Sequence, residues 1–448
     1  MTARLPRRDG LMGPTRERLR AAFRGSFLRS LAILSSAAVI QNALVLAASP
    51  ILSRLFTPDE FGIAGLIYAI AAVPMTAGSA HYYLAVTQTG KRVEWINVIA
   101  LSMFFVSLTS VLAAIITVIV HFDLLHIGDI GGQVGSLIFW IPGSIFLESS
   151  LNIGRIWELR RANYRSLFLN RLIETVSMIA AQVLAGFLGV GPVGLIVGRM
   201  LGMGAACVDA FLGIIRNIGR RGRRALHIGK MKQLARRYWR FPAYTTPAEL
   251  LGSLSRQIPP LFLGAYFTVE AVGLYWLADR VLARPTFLFG REISRVLLQQ
   301  LADKQDRSKE SLALLAKTTL ALAALSLPPF AIVILLGPWV FSVAFGDVWL
   351  HAGDYARWMS LISFAQLIAL PSRTAALFNG LQRTQALLET GRALAGAAAI
   401  ALAAELTGDD IMAMAAFCVV QTVIVLLFVL ITFLVAWKRQ PVRADLSR

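Results

Sequence analysis

Twelve apolar windows of about 20 residues each divide this 448-residue chain, and no other feature narrows its fold so far. They fall at 30-52, 62-86, 96-120, 134-154, 168-189, 192-214, 243-266, 271-296, 312-336, 354-377, 385-405 and 410-437. A helix rises about 1.5 Å per residue, so each window is long enough to cover the roughly 30 Å of hydrocarbon in a bilayer. Apolar residues make up 56% of the chain and charged residues 15%, more oil than one soluble core takes up. The windows predict an all-α polytopic membrane protein with twelve transmembrane helices. Most hold a Gly or Pro and a few polar residues, which suits the inside of a bundle better than an isolated lipid-facing helix. Cys207 and Cys418 lie within windows and read as packing residues.

The connectors alternate in charge. On one side lie the Met1–Arg29 tail with its eight arginines, Lys91 and Arg92, Arg155 to Arg165, the run Arg216 to Arg240, Lys304 to Lys309, Arg383, and the tail from Lys438. On the other side, His121 to Gln133, Gly189 to Pro192, Gly337 to Gly353 and Glu405 to Asp410 hold no Lys or Arg, and Arg54 is the exception. Basic connectors stay cytoplasmic, so twelve spans with both termini inside satisfy every connector. The net charge of +19 is thus spent on topology. The run "RNIGRRGRRALHIGKMKQLARRYWR" reads as a topology anchor and linker; it lacks the aromatic interleaving of a nucleic-acid module, and no nucleic-acid partner is expected.

An internal repeat organises the spans. "RLFTPDEFG" (Arg54 to Gly62) returns in faded form as "AYFTVEAVG" (Ala265 to Gly273), with Phe56, Thr57 and Gly62 recurring 211 residues later as Phe267, Thr268 and Gly273. Leu52 and Leu263, and Pro74 and Pro285, keep the same offset, which is also the spacing of six spans. The chain divides into a basic tail (1-29), a first lobe (30-214), a basic linker (215-240), a second lobe (241-437) and a terminal tail (438-448), the two six-helix lobes being related by a pseudo-two-fold axis. Thr57 is placed to cap the second helix, with Pro58 at its first position and Asp59 and Glu60 complementing its dipole.

"SRLFTPDEFGIAGLIYAI", with "RFPAYTTPAELLGSLSRQIPPLFLGAYFTVEAVGLYWLADRVLARP" opening the second lobe, resembles the Wzx-type polysaccharide transporters of the multidrug/oligosaccharidyl-lipid/polysaccharide exporter superfamily, over roughly residues 28 to 437. The resemblance implies a V-shaped pair of bundles whose helices 1, 2, 7 and 8 line a central cavity. It implies a flippase that carries undecaprenyl-pyrophosphate-linked oligosaccharides across the bacterial inner membrane by alternating access, for O-antigen, capsule or exopolysaccharide. Its partners would be the lipid-linked oligosaccharide, membrane lipids, and polysaccharide polymerase and chain-length proteins. An ion gradient or the membrane potential would drive it, and no cofactor is implied.

Charges inside the windows then gain meaning, because an arginine at mid-bilayer costs about 2.5 to 3.5 kcal/mol on insertion and should face something polar. Arg280, Arg284 and Arg291 fall within roughly a 40° arc of the eighth helix. Glu249, Ser253 and Arg256 share a face of the seventh. The candidate substrate-binding residues are Arg280, Arg284, Arg256 and Arg291, whose planar guanidinium groups grip phosphate oxygens, with the neutral Gln41 and Asn42 at the matching depth of the first lobe. Glu249 and Asp279 are candidates for ion coupling. As interhelical struts, Arg280 would instead pair with Asp279 or Glu249, and Arg291 with Glu292. Arg171 with Glu174, and Glu389 with Arg392, have the spacing of local ion pairs.

His121, Asp123, His126 and Asp129 share one loop and read as solvated residues, so no metal is expected. The chain has no GxxxxGK[ST] segment and no paired nucleophile and base, so no catalytic residue is assigned and the chain is read as a transporter rather than an enzyme. A cationic-drug exporter of the same superfamily would want an acidic cavity. A membrane polymerase or ligase acting on lipid-linked sugars would want a larger outer loop than Gly337 to Gly353.

Overall fold

The computed structural model describes residues 36–122, 135–223, 225–282, 297, 308–378 and 380–438, and among them there is no strand. The first six spanning helices are α1 (Ser36–Leu55), α2 (Pro58–Ala77), α3 (Arg92–His121), α4 (Trp140–Arg160), α5 (Tyr164–Phe187) and α6 (Pro192–Arg223). A short amphipathic helix, α7 (Ile228–Arg237), and a π turn at Phe241–Thr245 lead into the second half. There follow α8 (Thr246–Tyr266), α9 (described over 269–282), α10 (Ser308–Phe345), α11 (Leu350–Ile368), α12 (Leu370–Phe378), α13 (Gln382–Thr407) and α14 (Asp410–Lys438).

Among the described residues every apolar window overlaps a helix, the tenth overlapping two, because the helix breaks between Ile368 and Leu370. Nine helices among the described residues are long and apolar enough to cross a membrane. The helix α8 is not one of them, since Glu249, Ser255, Arg256 and Gln257 dilute it. On α3, Phe104, Leu108, Val111, Leu112, Ile115 and Ile116 are 41% to 57% exposed along one face, a stripe that water would reject and lipid accepts. Inside, one apolar cluster joins both halves, with Phe61 and Ile67 packing in the same core as Leu263, Leu277, Trp349 and Tyr355. Along the seam between the halves, α2 lies against α8.

The repeat is visible in the backbone. Helix α1 ends at Leu55 and α8 at Tyr266; α2 begins at Pro58 and α9 at position 269; each pair keeps the 211-residue offset. Thr57 Oγ1 accepts from the Glu60 amide at 3.3 Å, and Thr268 Oγ1 accepts from the Ala271 amide at 3.2 Å, one cap made twice. In the first copy, Glu60 Oε2 also accepts from the Thr57 amide at 2.8 Å and completes a capping box. Ala271 stands at the matching place in the second, which is why that copy looks faded.

The connectors gather into two sets. Near the face where α1 begins and α14 ends, the tail face, Tyr82 of the α2–α3 connector donates to the Ala235 carbonyl of α7, and Arg160 donates to Val86 O and Thr89 Oγ1. Near the opposite, far face, Ser53 bonds to Phe345 and Trp349, and Tyr355 to Asp410. The linker itself is bolted to the first half. Asn97, fully buried on α3, donates to the Ala225 carbonyl at 2.9 Å and accepts from the His227 amide at 3.0 Å, while Arg92 donates to Asn217 O and Ile218 O. Asn97→Leu leaves buried backbone groups unpaired and should lower unfolding stability in detergent by about 2 kcal/mol. An unchanged denaturation midpoint would show that the linker is held some other way.

The second window was expected to run straight through residue 86, but α2 stops at Ala77. Ala80 and His81 then adopt φ values of 47° and 55°, a left-handed pair that turns the chain back into a 3-10 segment at Tyr82–Thr87. Non-glycine residues in that region cost about 1 kcal/mol or more each and persist where their surroundings fix them. Here they aim His81 and Tyr83 into the space between the halves.

Candidate transport cavity

A cavity of about 340 Å³ lies between the halves on the tail-face side of the seam. Its first wall comes from the end of α2 (Met75, Thr76), the turn after it (Ser79, His81, Tyr83, Leu84), and α4 (Ser149, Asn152); its second comes from Thr245, Glu249 and Arg256. Glu249 and Arg256 are seven residues apart, two helical turns, and both are exposed toward the opening. Ser253, between them, is buried and donates to the Ala72 carbonyl at 3.1 Å, tying α8 to α2 beside the cavity. The face predicted from spacing is therefore real, with its ends lining the cavity and its middle forming the seam.

His81 Nδ1 lies 3.0 Å from Thr246 Oγ1. Burial holds the imidazole below its ordinary pKa, with the Glu249 carboxylate pulling the other way, so the ring is neutral at neutral pH. Asn152 Nδ2 reaches Glu148 Oε1 at 3.5 Å. The wall thus offers one guanidinium, one carboxylate, a neutral imidazole, and a row of hydroxyl and amide groups that both donate and accept. Such a surface can hold a polyhydroxylated or phosphate-bearing guest by hydrogen bonds without trapping it. It holds no group of three His, Cys, Asp or Glu that would bind a metal ion among the described residues.

The other sequence-predicted residues lie elsewhere. Gln41 and Asn42 are half-buried on α1 and are not among the residues that line the cavity, and the Asn42 amide donates to the Ala38 carbonyl of its own helix at 2.9 Å. Arg280 is buried on α9, with Asp279 half-buried beside it, and neither lines the cavity. Arg284, Arg291 and Glu292 lie outside the described residues. The described wall is balanced in charge; the excess of positive charge expected from sequence rests on positions beyond it.

Several other intramembrane charges find partners within their own half. Glu174 takes Arg155 of α4 as its partner, where sequence spacing had pointed to Arg171. Arg155 Nε also donates to Asn170 Oδ1 at 3.3 Å, and Asn170 donates to Asp209 at 3.0 Å. Glu389 pairs with Arg392 at 2.7 Å, as its spacing predicts, and is shared with Arg373 at 2.9 Å. Arg199 lies over the Tyr68 ring, 4.4 Å from its centre.

Comparison with known proteins fixes the relationship. Residues 51–354 match the family described as polysaccharide biosynthesis protein. The chain belongs to that family. No curated protein matches it by sequence. Among solved structures it is similar to an inward-facing multidrug resistance MATE family transporter of the MOP superfamily, with a TM-score of 0.70 at 14% identity over 89% of this chain and 96% of that one. It is similar to the lipid II flippase MurJ in an inward closed conformation, with a TM-score of 0.66 at 13% identity over 91% of this chain and 90% of that one. It is also similar to a MOP superfamily transporter from Pyrococcus furiosus whose binding pocket is described as of reverse polarity, with a TM-score of 0.56 at 13% identity over 91% and 95%. This member of the family therefore has the MOP transporter fold, the architecture that the resemblance implied.

Proposed function

We propose that the chain is a flippase for polyprenyl-diphosphate-linked oligosaccharides, loading them from the tail face and releasing them at the far face by alternating access. The observation that carries the reading is the polar cavity between the halves, where Arg256 stands exposed among hydroxyl and amide side chains. A guanidinium suits a diphosphate, and the Thr76, Ser79, Ser149 and Asn152 wall suits sugar hydroxyls. The prenyl chain stays in lipid beside the seam. Family membership supports a role in polysaccharide biosynthesis. Undecaprenyl pyrophosphate is the carrier this reading assigns in a bacterium, with the basic tail face in the cytoplasm and the chain in the inner membrane. Arg256 is the cation this reading places on the diphosphate, and Glu249 is the group best placed to couple an ion.

Removing the chain from its host should strand lipid-linked oligosaccharide with its sugar protected from impermeant periodate outside spheroplasts. Full access to periodate in those cells, with polymer still exported, would exclude the proposal. Glu249 in the same wall favours a second reading, export of an organic cation. Glu249→Gln separates the two, since it should abolish cation export and leave diphosphate-lipid binding within a few-fold of wild type.

A further inference from the structure

At one place the two halves of the repeat meet backbone to backbone. Gly62 of α2 lies against the start of α9 so closely that a Cβ there would sit 1.8 Å from the Val269 carbonyl oxygen. Gly273 of α9 lies against the start of α2, where a Cβ would sit 1.9 Å from the Pro58 carbonyl oxygen. The two contacts exchange under the 211-residue offset, so the pseudo-two-fold axis passes through this crossing. Ordinary van der Waals contact for a Cβ begins near 3.4 Å, so even one methyl group requires the helices to part.

The crossing lies at the far face, opposite the cavity, and the bonds around it also join the halves. Trp349 Nε1 donates to the Ser53 carbonyl at 2.8 Å, and Ser53 Oγ donates to the Phe345 carbonyl at 3.0 Å. Phe61 packs edge-on against two rings of the second half, Trp276 at 5.7 Å and Trp349 at 5.0 Å. Two helix N-termini converge there, and the carboxylates of Asp59, Glu60 and Glu270 around them offset the like ends of their dipoles. The seam is held by close backbone packing and a few hydrogen bonds at the ends of the helices, so it parts or closes as a unit.

We infer that the Gly62–Gly273 crossing is the far-face gate, closed while the cavity loads from the tail face and parted to release the guest. The inference rests on the alternating-access reading for its purpose, whereas the closed contact itself is independent of any substrate.

Double electron–electron resonance tests it without a substrate. Spin labels go on Asp59→Cys and Glu270→Cys, exposed positions equivalent in the repeat, in full-length protein in lipid nanodiscs with Cys207 and Cys418 replaced by alanine. The unsubstituted gate should give a predominantly short separation. Gly62→Val and Gly273→Val should each make a longer separation the major population, while Gly90→Val, whose added atoms meet open space, should leave it alone. If valine prevents folding, Gly62→Ala carries the same expectation in smaller measure. Retention of the short separation in the folded glycine variants would overturn the inference. Joining Asp59→Cys to Glu270→Cys with a short bifunctional reagent should stop turnover, and undiminished turnover after complete joining would overturn it as well. A gate that parts as expected in a protein that moves no lipid-linked sugar would instead count against the flippase proposal alone.

Discussion

Arg256→Ala should weaken binding of a polyprenyl diphosphate by about tenfold to a hundredfold, the range expected when a charge-assisted, two-pronged contact is lost. The residue stands exposed in the cavity wall two turns from Glu249, so alanine removes the guanidinium without hollowing a core. Arg256→Lys keeps the charge but loses the planar fork and should fall between the two. Arg256→Glu should bind worst, because it turns a balanced wall into an acidic one. Titration of a fluorescent polyprenyl diphosphate into purified protein in nanodiscs reads all three. Equal affinity across the series would remove Arg256 from the site.

The largest stability effect is expected from Arg155→Met. Arg155 is four-fifths buried between α4 and α5, where it pairs with Glu174 and touches Asn170, which in turn holds Asp209. Taking away the cation leaves Glu174 without its partner from α4 and takes a donor from Asn170. Breaking a buried pair from one side costs about 3 to 5 kcal/mol. Arg155→Met with Glu174→Met should recover most of that loss, since replacing both partners by apolar side chains removes the uncompensated charge. Denaturant unfolding in detergent measures both variants. A single variant as stable as wild type would mean that the network contributes nothing to holding the first half together.

Much of the fold was legible because the membrane imposes a simple rule: backbone groups must be satisfied inside each span, so length and hydropathy locate the helices. The repeat was legible because the far-face turn needs particular residues. Thr57 and Thr268 cap in the same way, and Gly62 and Gly273 are held to glycine by the other half's carbonyls. Sequence spacing found Glu249 and Arg256, since two turns of one helix suffice to place them together. It missed the first-half wall of the cavity, because hydropathy ran the second window straight through Gly78, Ser79, Ala80 and His81. The small residues before His81 were the available signal for a helix end, but the left-handed turn is dictated by packing against α4 and α8 that no local pattern records. Partner choice was legible only within a helix: Glu389 with Arg392 followed from spacing, whereas Arg155 with Glu174 needed two helices to be brought together.

Translocation in a purified system tests the account most directly. The protein is reconstituted in liposomes with a labelled polyprenyl-diphosphate oligosaccharide in both leaflets, and an impermeant glycosidase is added outside. Wild-type protein should make the inner-leaflet pool cleavable over time, and Arg256→Ala should slow that conversion by about the factor it loses in affinity. An inner-leaflet pool that stays protected with folded wild-type protein under an imposed ion gradient or membrane potential, or one converted at the same rate by Arg256→Ala, would contradict the cavity as the route of a diphosphate-linked sugar.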